Sequence, residues 1–132
     1  MEQKLEVTTN GQYKNIGLKT TYERDNQGNL IIENGEKKVK VAGIEDGNYI
    51  IVTKKFAEGK ACPDKGYGIS YICAVEYEGE DVGFFLKDYE HDTYKDLGGV
   101  GDKVKISLKK EMKTNKKTGA VIEAQTLSFE QA

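Results

Sequence analysis

Residues 69–90, ISYICAVEYEGEDVGFFLKDYE, contain two segments in which apolar and polar side chains alternate, joined by a short polar stretch. An alternation with a period of two is typical of β-strands that bury one face. The intervening EGED predicts a tight turn. This stretch therefore predicts an antiparallel hairpin with strands over residues 69–79 and 82–90.

Similar segments flank the hairpin on both sides. A strand is predicted before it, over residues 49–57, and is followed by a loop rich in lysine and glycine. After the hairpin, Asp92 or Thr93 is expected to cap a short helical turn that ends at Gly98. Two further strands, over residues 101–111 and 120–129, are joined by the loop MKTNKKTG.

The first 44 residues show a weaker pattern. The polar stretches NQGN and ENGE interrupt short apolar segments, and Asn34-Gly35 is a strong turn dipeptide. We therefore expect a β-hairpin in this part of the chain.

The order of strand, loop, strand, turn, strand, helix, strand, loop and strand, with GDKVKI leading into the fourth strand, resembles the OB-fold of single-stranded nucleic-acid-binding proteins. The resemblance covers roughly residues 45–130. It predicts a mainly all-β protein: a five-stranded, OB-like Greek-key barrel over residues 45–132 with one short helix. Residues 1–44 would form an N-terminal hairpin extension, and the whole chain one compact domain.

Positive charge is concentrated near the C-terminus. The net charge is -2, yet seven lysines and only one acid, Glu111, lie between Lys103 and Lys117. The chain has 19 lysines and a single arginine, Arg24. Lysine is a flexible point charge that suits phosphate, whereas arginine is the common bidentate partner of guanine. If the lysine loop is more than a solvated hairpin tip, this composition indicates phosphate binding with little sequence specificity.

In OB-folds that bind oligonucleotides, the ligand crosses strands two and three and is clamped by the loops after strands one and four. The resemblance thus implies that lysines at these positions neutralise phosphates while aromatic rings stack on bases. The candidate nucleic-acid-binding residues are Lys54, Phe56, Lys60, Lys65, Tyr67, Tyr71, Phe85, Lys87, Tyr89, Lys103, Lys105, Lys109, Lys113, Lys116 and Lys117.

Alternation separates these aromatic residues into two groups. Phe84 falls on the inward face of its strand, whereas Phe85 and Tyr89 fall on the outer face and are the better stacking candidates. Tyr71 and Tyr77 share a face with apolar residues, and the sequence leaves their burial open.

An acidic region opposes this interpretation, because residues 76–96 carry eight acids and two lysines. Acids beside the ligand groove would repel phosphate; on another surface they would suit a basic protein partner. The alternative function is therefore a protein–protein interaction module, such as an inhibitor or a subunit, that uses this acidic hairpin or a sheet edge. The sequence also leaves a homodimer open.

Signals of enzymatic chemistry are weak. The single histidine, His91, lies between acids in YEHDTY and is expected to be exposed and inert. Cys73 falls in a strand pattern as a core residue, and Cys62 falls in a loop; a bridge between them is not expected in a reducing compartment. No nucleophile–base pair or metal-ligand spacing is present, so we expect no enzyme, cofactor or metal.

No apolar run approaches the ~18 residues of a membrane span, and the N-terminus lacks the apolar core of a signal peptide. We therefore predict a cytoplasmic protein with no membrane partner. Its expected function is to bind single-stranded DNA with little sequence specificity in replication, recombination or repair. The resemblance favours DNA over RNA, although nothing in the sequence is specific for a 2′-hydroxyl.

Overall fold

A computed structural model describes residues 1–62 and 68–132 of the chain. Within these ranges the protein is mainly β, with 52 % of residues in strands and 6 % in one helix. The elements in chain order are β1 (Thr8–Asn10), β2 (Tyr13–Asn15), β3 (Thr21–Tyr22), β4 (Ile32–Glu33), β5 (Glu36–Lys37), β6 (Val39–Val41), β7 (Tyr49–Lys54), β8 (Lys60–Cys62), β9 (Ser70–Tyr77), β10 (Glu80–Lys87), α1 (Asp88–Lys95), β11 (Lys103–Thr114) and β12 (Val121–Gln131).

The predicted central hairpin is confirmed as β9 and β10. Its strands pair without interruption, and Glu78 and Gly79, at φ 51° and 77°, form the turn. This positive-φ pair matches the twist of the two strands, which explains the close register. Phe84 is fully buried, as the alternation predicts, and Tyr77 is buried as well.

One open sheet contains eight strands. Seven follow the order β1-β2-β10-β9-β7-β11-β12, and β8 pairs with the end of β9 beyond β7. The first predicted strand, over residues 49–57, thus ends early, at Lys54; residues 55–59 form a bulge before β8, which lies in the segment predicted as a loop. The pairs β3–β6 and β4–β5 form two small separate sheets. Asn34 and Gly35, at φ 52° and 79°, make the expected turn between β4 and β5.

The helix begins earlier than predicted. The third strand ends at Lys87 instead of continuing to residue 90, and Asp92 and Thr93 lie inside α1 rather than capping it. The side chain of Glu90 returns to accept the Lys87 backbone N–H at 2.9 Å, which satisfies a free donor at the helix start. Acidic residues in this first turn also suit the positive end of the helix dipole.

The N-terminal residues contribute to the same core as the rest of the chain. Leu5, Ile16, Leu18 and Ile44 are buried together with the inward residues of the main sheet. The β1–β2 hairpin joins that sheet at β10. In the described parts of the chain, no helix has the length and apolar content needed to cross a membrane.

Candidate nucleic-acid interface

Small side chains lie at the centre of the outer face of the β9–β10 hairpin. Ala74 is directly opposite Gly83, and Ile72 is opposite Phe85. Cross-strand partners in an antiparallel pair share a face, so these four residues form one surface on the side away from Phe84. Because the glycine has no side chain, the centre of this surface is a shallow apolar floor.

Two walls stand on either side of this floor. The β1–β2 hairpin contributes Tyr13 and Asn15, and the bulge of residues 55–59 contributes Phe56. Together they enclose a volume of about 800 Å³, which we call the groove. Tyr13 is 73 % exposed, Phe56 61 % and the neighbouring Phe85 58 %. Three exposed aromatic rings therefore lie around one groove.

Backbone contacts hold the first wall against β10. The N–H of Ile16 donates to the carbonyl oxygen of Gly83 at 3.0 Å, and Asn15 is the parallel partner of Gly83. The buried side chain of Ile16 anchors the hairpin in the core. Tyr13 and Asn15 are two residues apart in β2, so both side chains point to the groove side of the sheet.

The second wall is fixed by the helix. The N–H of Gly59 donates to Nε2 of His91 at 2.8 Å, and the His91 ring stacks on Tyr71 with centroids 3.8 Å apart and planes 1° apart. A side chain at Gly59 would not fit, since its Cβ would lie 2.7 Å from Sγ of Cys73. The expectation that His91 is exposed is wrong, because α1 begins early enough to turn this ring into the protein.

Protonation of His91 is expected to weaken this second wall. Because Nε2 accepts the Gly59 N–H, the folded protein holds the ring neutral. Burial first, and the charge of Lys95 second, lower the pKa of His91 from its ordinary 6.5. Smaller opposing effects come from the nearby acids Glu58, Asp92 and Asp88. The stability contributed by neutral His91 is therefore complete above pH 6.5 and is lost as the pH falls through the lower folded pKa.

Urea unfolding of the wild type and His91→Phe, at about pH 7.5, 6.5 and 5.5, measures this effect. Phenylalanine keeps a ring against Tyr71 but does not titrate. We expect the wild type to lose more unfolding free energy than the variant as the pH falls. The same pH dependence in both proteins would contradict the assignment.

Ion pairs neutralise two acids at the groove. Nζ of Lys14 lies 2.9 Å from Oε1 of Glu80, and Nζ of Lys55 lies 2.7 Å from Oδ2 of Asp81. Lys60, on β8 opposite Ile72, has no ion-pair partner among the described residues. Its ammonium group is therefore available to an anionic ligand.

The acidic region of residues 76–96 carries less free charge than its sequence suggests. Glu90 is buried and pairs with Lys19 at 2.8 Å, and Asp92 pairs with Lys95 at 3.3 Å. Glu80 and Asp81 at the groove are also paired, so four of the eight acids of this region are in ion pairs. The expected repulsion of phosphate is correspondingly weaker.

The lysine-rich segment forms an extended β-ribbon. β11 and β12 pair over their full lengths, from Val104–Gln131 to Thr114–Val121, so both strands are longer than predicted. β7 pairs only with residues 103–107 of β11, and the ribbon continues beyond it. We call residues 109–126 the basic arm. Its exposed lysines without an ion-pair partner in the described part of the chain are Lys113, Lys116 and Lys117.

Two other lysines of β11, Lys105 and Lys109, have local partners. Lys103, Lys105 and Lys109 alternate with buried residues, as predicted. Nζ of Lys105 lies 4.4 Å from the centre of the Tyr49 ring and 3.3 Å from the Glu130 carboxylate. Nζ of Lys109 lies 3.1 Å from Oε1 of Glu111. These contacts are exposed or half-buried, so they are weak and a phosphate group competes with them readily.

Lys54 does not lie at the surface. It is 1 % exposed, and its ammonium group donates to the carbonyl oxygens of Tyr94, Leu97 and Gly98 at 2.9, 3.2 and 3.4 Å. Burial lowers the pKa of Lys54. Its assignment as a phosphate-binding residue is therefore corrected: Lys54 donates hydrogen bonds to carbonyl groups at the C-terminal end of α1.

The predicted site residues fall into separate places. Phe56, Lys60 and Phe85 lie at or beside the groove, and Lys87 follows on the same face of β10. Tyr71 is half-buried in its stack with His91. Tyr89 is 65 % exposed but lies on α1 rather than on β10, so it does not lie on the same face as Phe85.

The predicted lysines near the C-terminus lie elsewhere. The basic arm carries Lys109, Lys113, Lys116 and Lys117, and Lys103 and Lys105 lie on the outer face of β11. Lys65 and Tyr67 lie outside the described residues.

Sequence analysis missed the wall formed by Tyr13 and Asn15. Their position depends on the pairing of β2 with β10, which are far apart in sequence and meet at a single parallel bridge. The floor was also missed, although its pairing depends on a local feature, the turn of the β9–β10 hairpin. Once the turn is placed at residues 78–79, counting back along both strands pairs Ala74 with Gly83.

Comparisons of the chain with protein-family models, with curated proteins and with solved structures each gave no match. Within the described ranges, no group of three or more His, Cys, Asp or Glu side chains is placed to hold a metal ion. Cys62 and Cys73 are both free thiols, and burial raises the pKa of Cys73 to about 12. Cys73 is thus a core residue, as predicted, and a poor nucleophile.

Proposed function

We propose that the protein binds single-stranded nucleic acid with little sequence specificity, and that the ligand is DNA, which the OB-fold resemblance favours over RNA. The observation that carries the proposal is the cluster of exposed aromatic rings at the groove: Tyr13 and Phe56 line it, and Phe85 lies beside it on β10, opposite Ile72. An exposed aromatic ring is a platform on which any base can stack, and each such contact is worth about 1–3 kcal/mol.

Lysines supply the second part of the proposed mechanism. Lys60 and Lys87 lie on the face that carries the aromatic rings, and the basic arm adds further unpaired charge. Each lysine that neutralises a phosphate releases condensed counterions, so affinity should fall as the salt concentration rises. The absence of arginine from this face agrees with low sequence specificity.

We also propose that residues 45–132 form an OB-like barrel that carries the ligand. Its support is the order of elements, with α1 between β10 and β11, the third and fourth strands when the short β8 is left out, and the contacts of α1 with both β10 and β12. In the described residues β10 and β12 are not paired with each other, so the sheet remains open at this point. The proposed ligand face is that of strands two and three, here β9 and β10.

The test is fluorescence anisotropy of a labelled oligothymidylate of about thirty nucleotides, at about 50 and 200 mM salt, with duplex DNA as the comparison. We expect the single strand to bind more tightly than the duplex and more weakly at the higher salt concentration. Phe85→Ala should weaken binding roughly tenfold through the loss of one stacking platform. Tyr89→Ala removes an equally exposed ring from α1 and serves as the matched control.

If the protein binds the single strand and Phe85→Ala has no effect, the binding site does not lie on β9 and β10. No binding even at low salt would reject the proposal as a whole. In that case the alternative is a protein–protein interaction module, a subunit or inhibitor that pairs through a sheet edge. Its support is that β12 is an edge strand of 11 residues, with Val121 60 % and Ile122 52 % exposed. A basic protein partner at residues 76–96, and a homodimer, remain proposals of this second class.

A further inference from the structure

We propose that the groove holds a single unpaired nucleotide, with its base between Tyr13 and Phe56, its edge against the amide of Asn15 and its phosphate at Lys60. This inference rests on the proposed function and names the part of the ligand that the groove takes. It assigns a role to the N-terminal hairpin, since one wall and the amide both come from β2.

The floor of the groove is shaped for a flat ring. A Cβ atom at Gly83 would lie 3.3 Å from Oδ1 of Asn15 and 3.6 Å from Cγ1 of Ile72, so the amide lies directly above the glycine backbone. Ala74, opposite Gly83, adds only a methyl group. The volume of about 800 Å³ is in the range of pockets that take drug-sized ligands. A nucleotide with its sugar is a ligand of this size.

Asn15 distinguishes a base from a plain aromatic ring. Its side-chain amide is half-buried and has no hydrogen-bond partner among the described residues, although it offers two donors and one acceptor. Each of the four bases presents a donor beside an acceptor on its unpaired edge. The amide can therefore pair with any of them after rotation, which favours nucleobases without selecting one.

One lysine at the groove is available to a phosphate. Lys14, Lys55 and Lys60 line the groove together with the acids Glu58 and Asp81, and Glu80 lies beside it. Lys55 is held by Asp81 and Lys14 by Glu80, whereas Lys60 is unpaired within the described ranges. An anionic ligand thus meets Lys60 without breaking an ion pair.

Ala74→Leu tests the groove by filling its floor, and Ser128→Leu adds a leucine to the exposed surface of β12 as the matched control. Affinity is measured by anisotropy with the same oligothymidylate. We expect Ala74→Leu to weaken binding roughly tenfold and Ser128→Leu to leave it unchanged. Circular dichroism checks that both variants are folded. If wild type and Ala74→Leu bind equally well, the proposed function stands and the groove is not its base site.

A second measurement separates the two proposals and does not depend on a variant. Thymidine 5′-monophosphate is titrated into the ¹⁵N-labelled wild type, and amide chemical shifts are followed by NMR. Shifts confined to the groove, at Asn15, Ala74 and Gly83, support the nucleotide site; if no oligonucleotide binds, they show that the proposed function alone has failed. Shifts only at other residues, or no shifts at all, overturn the inference. Because this measurement uses the wild type, it decides the question even if Ala74→Leu fails to fold.

Discussion

Lys54→Ala is expected to lower the free energy of unfolding by about 3 kcal/mol, the largest stability effect that we predict for a single substitution. The substitution removes a long buried side chain and leaves a cavity between β7 and the end of α1. It also removes the donor that three carbonyl oxygens share: the Tyr94 oxygen still accepts the Leu97 N–H at 3.1 Å, whereas the Leu97 and Gly98 oxygens lose this donor. Carbonyl groups at a helix C-terminus have no partner within the helix, and they favour a cation.

One effect opposes this loss. Burial disfavours the charged form of Lys54, as the lowered pKa indicates, so removing the charge relieves a desolvation cost. The cavity and the unsatisfied carbonyls outweigh this relief in Lys54→Ala. In Lys54→Met, a side chain of similar length fills the space, and we expect a loss of only about 1 kcal/mol.

Urea denaturation followed by circular dichroism gives both values. Lys60→Ala, an exposed lysine on β8, is the control and should change stability by less than about 0.5 kcal/mol. If Lys54→Ala is as stable as the wild type, the contacts of the ammonium group contribute little to stability, and the prediction is wrong.

The contrast between Lys54 and Phe84 shows which parts of this fold follow from local sequence. Alternation alone places Phe84 inside, and the turn at residues 78–79 fixes its partners on β9. The same alternation in YIIVTK places Lys54 inward with Ile50 and Val52. The pattern therefore contained the correct answer, but the general preference of lysine for the surface argued against it. Burial of this lysine depends on carbonyl groups some 40 residues away, which the local pattern does not contain.

The candidate site shows the same division. Phe85 is exposed beside the groove, as its place in the strand predicts, because strand alternation is a local property. Tyr89 was assigned to the same face on the assumption that the strand continues, whereas Glu90 starts the helix through its contacts with Lys87 and Lys19. Tyr13 was missed because nothing local indicates that β2 pairs with β10. Non-local pairings of short strands are the part of a β-sheet that one sequence specifies least clearly.

Reversing three charges of the basic arm, in Lys113→Glu, Lys116→Glu and Lys117→Glu combined, is expected to weaken binding of single-stranded DNA on the order of a hundredfold at about 50 mM salt. The three ammonium groups are exposed near the end of the ribbon, where backbone bonds between Asn115 and residues 119–120 close the turn. Each phosphate contact on a single strand contributes about 0.7 to the slope of log affinity against log salt, so losing three makes the slope shallower by about 2. The loss should be similar for all base sequences, because these residues contact phosphate alone.

A matched control keeps the change in net charge and moves it elsewhere. Lys4, Lys37 and Lys40 are exposed in the N-terminal part of the chain, and their combined change to glutamate alters the net charge by the same amount. If binding depends on overall charge, both triple variants lose affinity equally. If it depends on the arm, only the first loses affinity and shows the shallower salt dependence. An arm variant that binds like the wild type would mean that these lysines form a solvated ribbon end, and that the aromatic face of β9 and β10 binds the strand without them.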